Sequence, residues 1–274
     1  LYVRSAVIIS ENNMGLINCK NCGNKISDSA KICPHCKIHI HPIYPLFSLF
    51  QKYDNLVFFD LETSGIDPKE NNIIEFAALN VTHIDGIAFV FKETDVLVQL
   101  PNGKRLDAEV ENLTNITNEM LLKEGVTSGD LISIVENCIW GFGKTLMIAH
   151  NAQFDMNYLK KLFKGTAKQN SFEGLDVLDS LTVCKDRFPY PHKLSYAIER
   201  YNLSEYVQNT HRGIDDVYAL FEVTKALSNE QDDLIKYINL FGYNQKYGIT
   251  GERINKVIYI PQGLNGKGKL YRNL

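Results

Sequence analysis

The chain has 274 residues, of which 45% are hydrophobic and 22% charged, an ordinary composition for a globular protein with one sizeable core and something small beside it. Lysine and arginine number 29 against 32 acidic residues, a formal charge of −3, so any nucleic-acid binding must come from a local site. No apolar stretch approaches the roughly 20 residues of a membrane span, and no secretory signal is recognisable. The composition predicts a soluble, cytoplasmic protein without a membrane partner.

Four of the six cysteines are concentrated in a short N-terminal segment, as two CxxC pairs. Cys19 and Cys22 form the first pair, and Cys33 and Cys36 form the second. Each pair can place two thiolates on one tetrahedral ion, and paired CxxC units this close favour one structural Zn²⁺ over redox chemistry. We expect a small N-terminal zinc ribbon over residues 15–40 that needs the metal to fold.

The segment after the cysteines contains two prolines, Pro42 and Pro45, and predicts a short, stiff linker over residues 41–53. An apolar run then ends at Asp60 and is followed by two further strand-like runs. Together they predict a three-stranded meander, with strands at 56–59, 73–81 and 87–98.

Helical spacing replaces the strand pattern after residue 117, with a break near Gly125 that divides 117–142 into two helices. The short apolar run 145–149 is typical of a buried parallel strand. Further helices are predicted at 152–163, 180–188, 194–201 and 214–227, and a strand near 175–177. This order predicts an α/β fold with a mixed sheet flanked by helices, in a domain over 54–229, followed by an extension of unknown role over 230–274.

The first predicted strand of that domain ends in two carboxylates, Asp60 and Glu62. Since side chains alternate between the faces of a strand, both project from the same side of the sheet. Like charges this close repel each other unless a cation lies between them. The plain alternative is a strand end that leads into a polar turn.

A second motif, residues 150–155, follows the buried strand and opens a helix. Asn151 can cap free backbone donors there, and Asp155 falls in the first turn, where a carboxylate is favourable. An ordinary helix start would show much the same pattern.

A third motif, residues 211–216, combines a loop histidine with a carboxylate on the helix that follows. His211 lies in the loop, and Asp216 is five residues further on. Asp215 is a competing candidate whose spacing fits less well.

The three motifs, at 58–65, 150–155 and 211–216, resemble the exonuclease motifs of the DEDD, or DnaQ-like, family in its histidine-containing branch, and the similarity covers about 54–228. The resemblance implies a ribonuclease-H-like fold, which agrees with the predicted strand order. It also implies a two-metal-ion 3′-5′ exonuclease that releases nucleoside 5′-monophosphates from the 3′ end of single-stranded DNA, as in DNA polymerase III epsilon-like proofreading or repair.

The resemblance further implies a role for each residue of the motifs. Asp60, Glu62 and Asp216 would bind one divalent ion, and Asp60 would bridge to a second ion that Asp155 helps to hold. Oxygen ligands and a phosphate substrate favour two Mg²⁺ or Mn²⁺ ions. His211 would take the proton of the attacking water. Four residues match positions that hold the terminal nucleotide in the family: Leu61, Thr63, Asn151 and Phe154. The alternative is that they serve turn geometry or core packing.

Other functions stay open at this point. The enzyme could trim RNA, as ribonuclease T or oligoribonuclease does, because sugar choice depends on contacts with the 2′-hydroxyl that the motifs do not reveal. A noncatalytic nucleic-acid or protein adaptor is an alternative of another class. Candidate protein partners are a DNA polymerase or a sliding clamp, since residues 231–237 loosely resemble a clamp-binding peptide, although a polar helix explains them better. The basic end of the chain could contact the substrate backbone or form a poorly ordered ribbon: Lys267, Lys269 and Arg272.

Overall fold

The computed structural model of the chain describes residues 16–19, 22–27, 33–37, 45–210, 212–266 and 268–274. The chain divides into two compact units, one within residues 1–43 and the other from 44 to 274. In the smaller unit, strands β1 (Leu16–Asn18) and β2 (Lys25–Ser27) form an antiparallel pair. Within these described ranges, no helix has both the length and the apolar character needed to cross a bilayer.

The larger unit is built on a mixed sheet of five strands. An antiparallel meander is formed by β3 (Asn55–Thr63), β4 (Ile73–Ile84) and β5 (Ile87–Leu97). On the other side of β3, β6 (Thr145–Ala149) and β7 (Asp176–Asp179) continue the sheet with parallel pairing, in the order β5-β4-β3-β6-β7. The predicted meander and buried parallel strand are therefore confirmed.

Helices cover both faces of this sheet, because β3 is apolar on both sides. Leu56 and Phe58 face one apolar cluster, which includes side chains of the C-terminal helices, and Val57 and Phe59 face the other. This arrangement confirms the predicted α/β fold. The helices are α1 (Phe47–Phe50), α2 (Ala108–Thr114), α3 (Asn118–Glu124), α4 (Ser128–Trp140), α5 (Ala152–Phe163), α6 (Gln169–Glu173), α7 (Ser180–Arg187), α8 (Leu194–Arg200) and α9 (Gly213–Glu230).

Residues 45–53 fall within the predicted linker, but they pack as part of the larger unit. Leu46, Leu49 and Tyr53 are buried in the same apolar cluster as Phe58. The backbone N–H of Leu46 donates to Ser228 Oγ at 2.9 Å. Apolar side chains at helical spacing outweigh the nearby prolines here, because they can be buried against α9.

The chain after α9 also packs against the larger unit. A 3₁₀ helix, Leu234–Tyr237, stands where a polar helix was predicted, and both Leu234 and Tyr237 are buried. Strands β8 (Leu240–Tyr243) and β9 (Ile258–Pro261) then form a parallel pair, and a second 3₁₀ helix spans Leu270–Asn273. β8 was not predicted, because its segment is short and glycine- and tyrosine-rich.

The basic end of the chain is ordered where the structure describes it. Leu270 is 3% exposed, and Tyr271 donates its hydroxyl to Asp233 Oδ2 at 2.8 Å. Lys269 Nζ lies 4.0 Å from the same carboxylate. A poorly ordered ribbon is therefore wrong for residues 268–274, while Lys267 lies outside the described residues.

Candidate active site

Three carboxylates from two distant segments meet near the carboxyl end of β3. Asp60 and Glu62 share the strand parity of Phe58, whose face of the sheet is covered by α9. Asp216 comes from the first turn of α9. Each of the three offers one ligand oxygen, and these oxygens all lie within 4.8 Å of one another. Three hard oxygen donors at this spacing fit a divalent cation of the Mg²⁺ type.

The local electrostatics also fit a cation. Burial, followed by the charges of Asp155 and Glu62, raises the pKa of Asp60 well above its usual range. Burial and the charge of Asp216 raise the pKa of Glu62 to about 8. Both shifts favour the protonated carboxyl groups unless positive charge is supplied between them.

Asp155 lies beside this trio and reaches it from α5. Its side chain is 3% exposed, and burial raises its pKa to about 8, although hydrogen bonds to its own backbone and to that of Leu61 act in the opposite direction. Leu61 separates Asp60 from Glu62 in the chain, so this contact places Asp155 next to the strand that carries both. Asp155 is outside the group of three that can share one ion position.

The start of α5 is capped differently from the sequence prediction. Asn151 has φ 68° and makes no side-chain capping hydrogen bond. Instead, Asp179 Oδ1 accepts from the backbone N–H groups of Asn151 at 2.9 Å and Ala152 at 3.2 Å. Asp179 also accepts from Leu181 and Thr182 in the first turn of α7. One carboxylate at the end of β7 thus satisfies two helix starts, which local spacing cannot reveal because Asp179 lies 28 residues after Asn151.

The start of α9 is fastened to β4 by a buried carboxylate. Glu75 is 0% exposed and pairs in register with Glu62. Its Oε1 accepts from Arg212 Nε at 3.0 Å and Nη2 at 2.8 Å, and its Oε2 accepts from the backbone N–H of Gly213 at 2.7 Å. Because Asp216 is in the same helical turn as Gly213, these contacts set its position relative to the sheet.

Glu75 and Arg212 were not identified as functional residues from the sequence. A signal was nevertheless present, since Glu75 is an acid inside the apolar run 73–81, and a buried charge requires a partner. Asp95, on the neighbouring strand, belongs to the same cluster, where burial and the charge of Glu75 raise its pKa to about 6.

In the third motif, the structure places Asp216 and Asp215 differently. Asp216 is 6% exposed, and its Oδ1 accepts from the backbone N–H of Thr210 at 3.1 Å. Asp215 is exposed and accepts from the Thr210 hydroxyl at 2.6 Å. Asp216 is therefore the carboxylate that joins the site. His211 lies outside the described residues.

The four residues predicted to hold a nucleotide lie on β3 or at the start of α5. Leu61 is 5% exposed, and the Thr63 hydroxyl donates to the carbonyl of Gly65 at 2.6 Å. The Tyr158 hydroxyl donates to the same carbonyl at 2.6 Å, and its ring lies 5.1 Å from that of the half-buried Phe154. Thr63 thus has a local turn partner, and the nucleotide contacts of all four, including Asn151, stay predictions.

The four clustered cysteines converge in the smaller unit. Sγ–Sγ distances are 3.6 Å for Cys19 with Cys36 and 3.7 Å for Cys22 with Cys33, and all four sulfurs lie within 4.8 Å. Tetrahedral Zn²⁺ with Zn–S bonds of ~2.3 Å separates its thiolates by about 3.8 Å, so the spacing fits this ion. Each pair also lies in a backbone turn closed by the same i to i+4 hydrogen bond. Gly23 N–H donates to Cys19 O in the first turn, and Lys37 N–H donates to Cys33 O in the second.

The larger unit has a ribonuclease-H-like fold, and its carboxylate cluster offers the ligand oxygens of a divalent cation. Residues 57–224 match RNase_T, the exonuclease family. The chain belongs to this exonuclease family.

Similar proteins include much longer enzymes. DNA polymerase III PolC-type of Clostridium perfringens (strain 13 / Type A) is 24% identical over 225 residues, covering 80% of this chain and 14% of the polymerase. DNA polymerase III subunit epsilon of Buchnera aphidicola subsp. Acyrthosiphon pisum is 22% identical over 195 residues, covering 70% of this chain and 79% of the subunit. The chain thus spans about one seventh of that PolC-type polymerase and most of the epsilon subunit.

Among solved structures, E. coli Exonuclease I in complex with a dT13 oligonucleotide superposes with a TM-score of 0.57 at 17% identity. The match covers 67% of this chain and 43% of Exonuclease I. At this identity the likeness shows the shared fold.

Proposed function

We propose that this protein is a 3′-5′ exonuclease that hydrolyses the terminal phosphodiester bond of single-stranded DNA and releases nucleoside 5′-monophosphates. The observation that carries the proposal is the convergence of Asp60, Glu62 and Asp216 within 4.8 Å beside the buried Asp155. The DNA polymerase relatives, and the oligonucleotide bound to Exonuclease I, support DNA rather than RNA as the substrate. The DNA polymerase III relatives also support the proofreading or repair role that the resemblance of the motifs implies.

In this proposal, Asp60, Glu62 and Asp216 hold one Mg²⁺ or Mn²⁺ ion, and Asp60 and Asp155 contribute to a second. Bound divalent ions at such a site lower the pKa of water and stabilise the leaving oxygen. The carboxylates would hold those ions, and His211 would take the proton of the attacking water. The positions proposed to hold the terminal nucleotide are Leu61, Thr63, Asn151 and Phe154.

The smaller unit has a separate role in this proposal. One structural Zn²⁺ is held by its four cysteines, Cys19, Cys22, Cys33 and Cys36. Because the segment has few apolar side chains, its folding depends on that ion. Hydrolysis is assigned to the larger unit alone.

The test is digestion of 5′-labelled single-stranded DNA and RNA oligomers with Mg²⁺, with and without chelator. We expect the DNA to shorten stepwise from its 3′ end, with no reaction in chelator. Preferential RNA digestion would reassign the substrate, and no digestion of either would favour a noncatalytic adaptor.

A matched pair of variants then tests the site itself. Asp216→Asn should lower the rate of nucleotide release by about 10³-fold or more, because it removes one charged metal ligand and several kcal/mol of transition-state stabilisation. Asp215→Asn changes the adjacent, exposed carboxylate and should retain activity within a few-fold. Equal rates for the two variants would contradict the assignment.

A further inference from the structure

The segment from β8 to β9 is fastened to the helix that carries Asp155, although it lies beyond the part of the chain that matches the family, 57–224. Gln153 Nε2 donates to the carbonyls of Thr250 and Glu252, both at 2.8 Å. Gln153 Oε1 accepts from the Tyr259 hydroxyl at 2.7 Å. The extension is therefore held against the first turns of α5, where Asn151 and Phe154 are proposed to hold the terminal nucleotide.

A second anchor lies one turn further along α5. Asn157 Oδ1 accepts from the backbone N–H of Glu252 at 2.9 Å, while Asn157 Nδ2 donates to the carbonyl of Gln153 at 2.6 Å. Glu252 also forms an ion pair of 3.0 Å with Lys160. The segment is therefore positioned by several contacts with one helix face.

A cavity of about 230 Å³ lies between this segment and the first turn of α5. Asn151 and Phe154 line one side, and Tyr243, Asn244 and Tyr247 line the other. Pockets that enclose drug-sized ligands measure roughly 300–1,000 Å³, so this cavity suits a single planar base. Asn151 and Phe154 are also two of the positions proposed to hold the terminal nucleotide, so the cavity adjoins that proposed subsite.

The rim of the cavity combines the exposed ring of Tyr247 with cations. Tyr247 is 73% exposed, and Lys246 Nζ lies 5.0 Å from the centre of its ring. Arg253 lies over the Tyr259 ring at 5.0 Å, and Lys185 lines the cavity. Aromatic rings that stack on bases, interleaved with cations that attract phosphates, are typical of surfaces that bind single strands without sequence preference.

We infer that the cavity and its rim, residues 243–250 facing α5, form a second nucleotide subsite, which receives a base of the single strand upstream of the terminal nucleotide. Tyr247 stacks on that base, and Lys246 and Lys185 attract the adjoining phosphates. The assignment of this base as upstream rests on the proposed function, because hydrolysis from the 3′ end sets the direction of the bound strand. It supplies local positive charge in a protein whose net charge is −3.

Binding is tested first, in the full chain and with chelator present, so that no hydrolysis occurs. The probe is a fluorescein-labelled oligothymidylate, and the readout is fluorescence anisotropy. Tyr247→Ala should weaken binding roughly 5- to 100-fold, the loss of one base–aromatic stack. Because Tyr247 is 73% exposed, the substitution should leave the thermal unfolding temperature unchanged. Tyr206→Ala, at a tyrosine that is 76% exposed and does not line the cavity, is the matched control and should bind as the wild type does.

Kinetics then separate this subsite from the terminal one. With Mg²⁺, Tyr247→Ala should raise the KM for the oligomer at least fivefold more than the KM for the p-nitrophenyl ester of thymidine 5′-phosphate, which has no upstream nucleotide. Unchanged oligomer binding by Tyr247→Ala, or equal losses on the two substrates, would overturn the subsite. A wild-type protein that binds the oligomer but releases no nucleotide would overturn the proposed function alone.

Discussion

Arg212 and Glu75 form an ion pair of 2.8 Å that joins the start of α9 to β4, and the carboxylate of the pair is completely buried. The hydrogen bond to Glu75 is the main reason that the pKa of Arg212 is raised. Arg212 directly precedes the helix that carries Asp216, so this ion pair positions the start of α9 relative to the carboxylates of β3.

Loss of this pair should destabilise the protein. Arg212→Ala removes two of the hydrogen bonds to the buried Glu75 carboxylate, and breaking a fully buried ion pair costs about 3–5 kcal/mol. We expect the free energy of unfolding, measured with urea, to fall by about 2–3 kcal/mol. The loss is smaller than for a fully buried pair because the Arg212 side chain is 33% exposed and partly screened. Nucleotide release should fall as well, since Asp216 loses its anchor. Arg105→Ala, at an exposed position, is the control, and equal stability of the two variants would contradict the role of the pair.

Gly213 should tolerate no side chain. A Cβ at this position would lie 2.9 Å from Ala77 Cβ and 3.1 Å from Glu75 Oε2, so α9 would have to move away from β4. We expect Gly213→Ala to cost about 1–3 kcal/mol and to lower nucleotide release at least tenfold, by displacing Asp216.

The control for this substitution is Gly129→Ala, where the nearest atom, Thr127 Oγ1, is 3.7 Å from the added Cβ. Because Gly129 is helical, alanine should stabilise the protein by about 0.5–1 kcal/mol and leave activity unchanged. Retained activity in Gly213→Ala would show that the close approach to β4 does not set the site.

Stability in chelator should fall as the pH rises from about 5 to 8. Glu62 and Asp155 have ordinary pKa values of 4.5 and 3.8, and burial raises both to about 8 in the folded protein. Between these values the unfolded chain releases protons that the folded protein keeps, so the free energy of unfolding decreases with pH and levels off above about 8. Added Mg²⁺ displaces those protons and should stabilise the protein more as the pH rises.

Thermal unfolding from about pH 5.5 to 8.5, in chelator and in Mg²⁺, measures this effect. The difference in Tm between the two conditions should widen with pH, and Glu62→Gln should reduce the widening because it removes one of the titrating carboxyl groups. A difference that is constant with pH would argue against carboxylates that share a cation.

Zinc should be lost from the smaller unit without loss of hydrolysis. Cys33→Ser removes one of the four thiolates, and zinc content measured by atomic absorption should fall towards zero, while nucleotide release from the oligomer should stay within a few-fold. Cys138→Ser is the control, since Cys138 Sγ contacts Thr94 and Lys92 in the larger unit and is remote in sequence from the cluster. Full zinc content in Cys33→Ser would disprove the assigned ligands.

The sequence pattern predicted those helices and strands whose burial follows from their own residues. The strand at 145–149 and the helix at 152–163 have the predicted bounds, because one is buried throughout and the other has regular apolar spacing. Helix α2 was missed, because it exposes most of its surface and only Thr114 is buried.

The residues of the candidate site also differ in whether the sequence alone could reveal them. Asp60 and Glu62 could be found because two carboxylates on one strand face are visible in the sequence itself. Glu75 and Arg212 are 137 residues apart, and Asp179 caps a helix that begins well before it, so their roles depend on tertiary contacts. Sequence spacing alone cannot supply such contacts.

The packing of the C-terminal extension determines where a recombinant form of this nuclease can be shortened. Leu234, Tyr237 and Leu240 complete the apolar cluster on one face of the sheet, and Phe241 and Val257 complete the cluster on the other. Each such side chain contributes ~1.5–3 kcal/mol when fully buried, which together is comparable with the ~5–15 kcal/mol that stabilises a typical domain. A protein truncated at the family boundary, residue 224, would expose both clusters, so the smallest piece able to fold extends well past it.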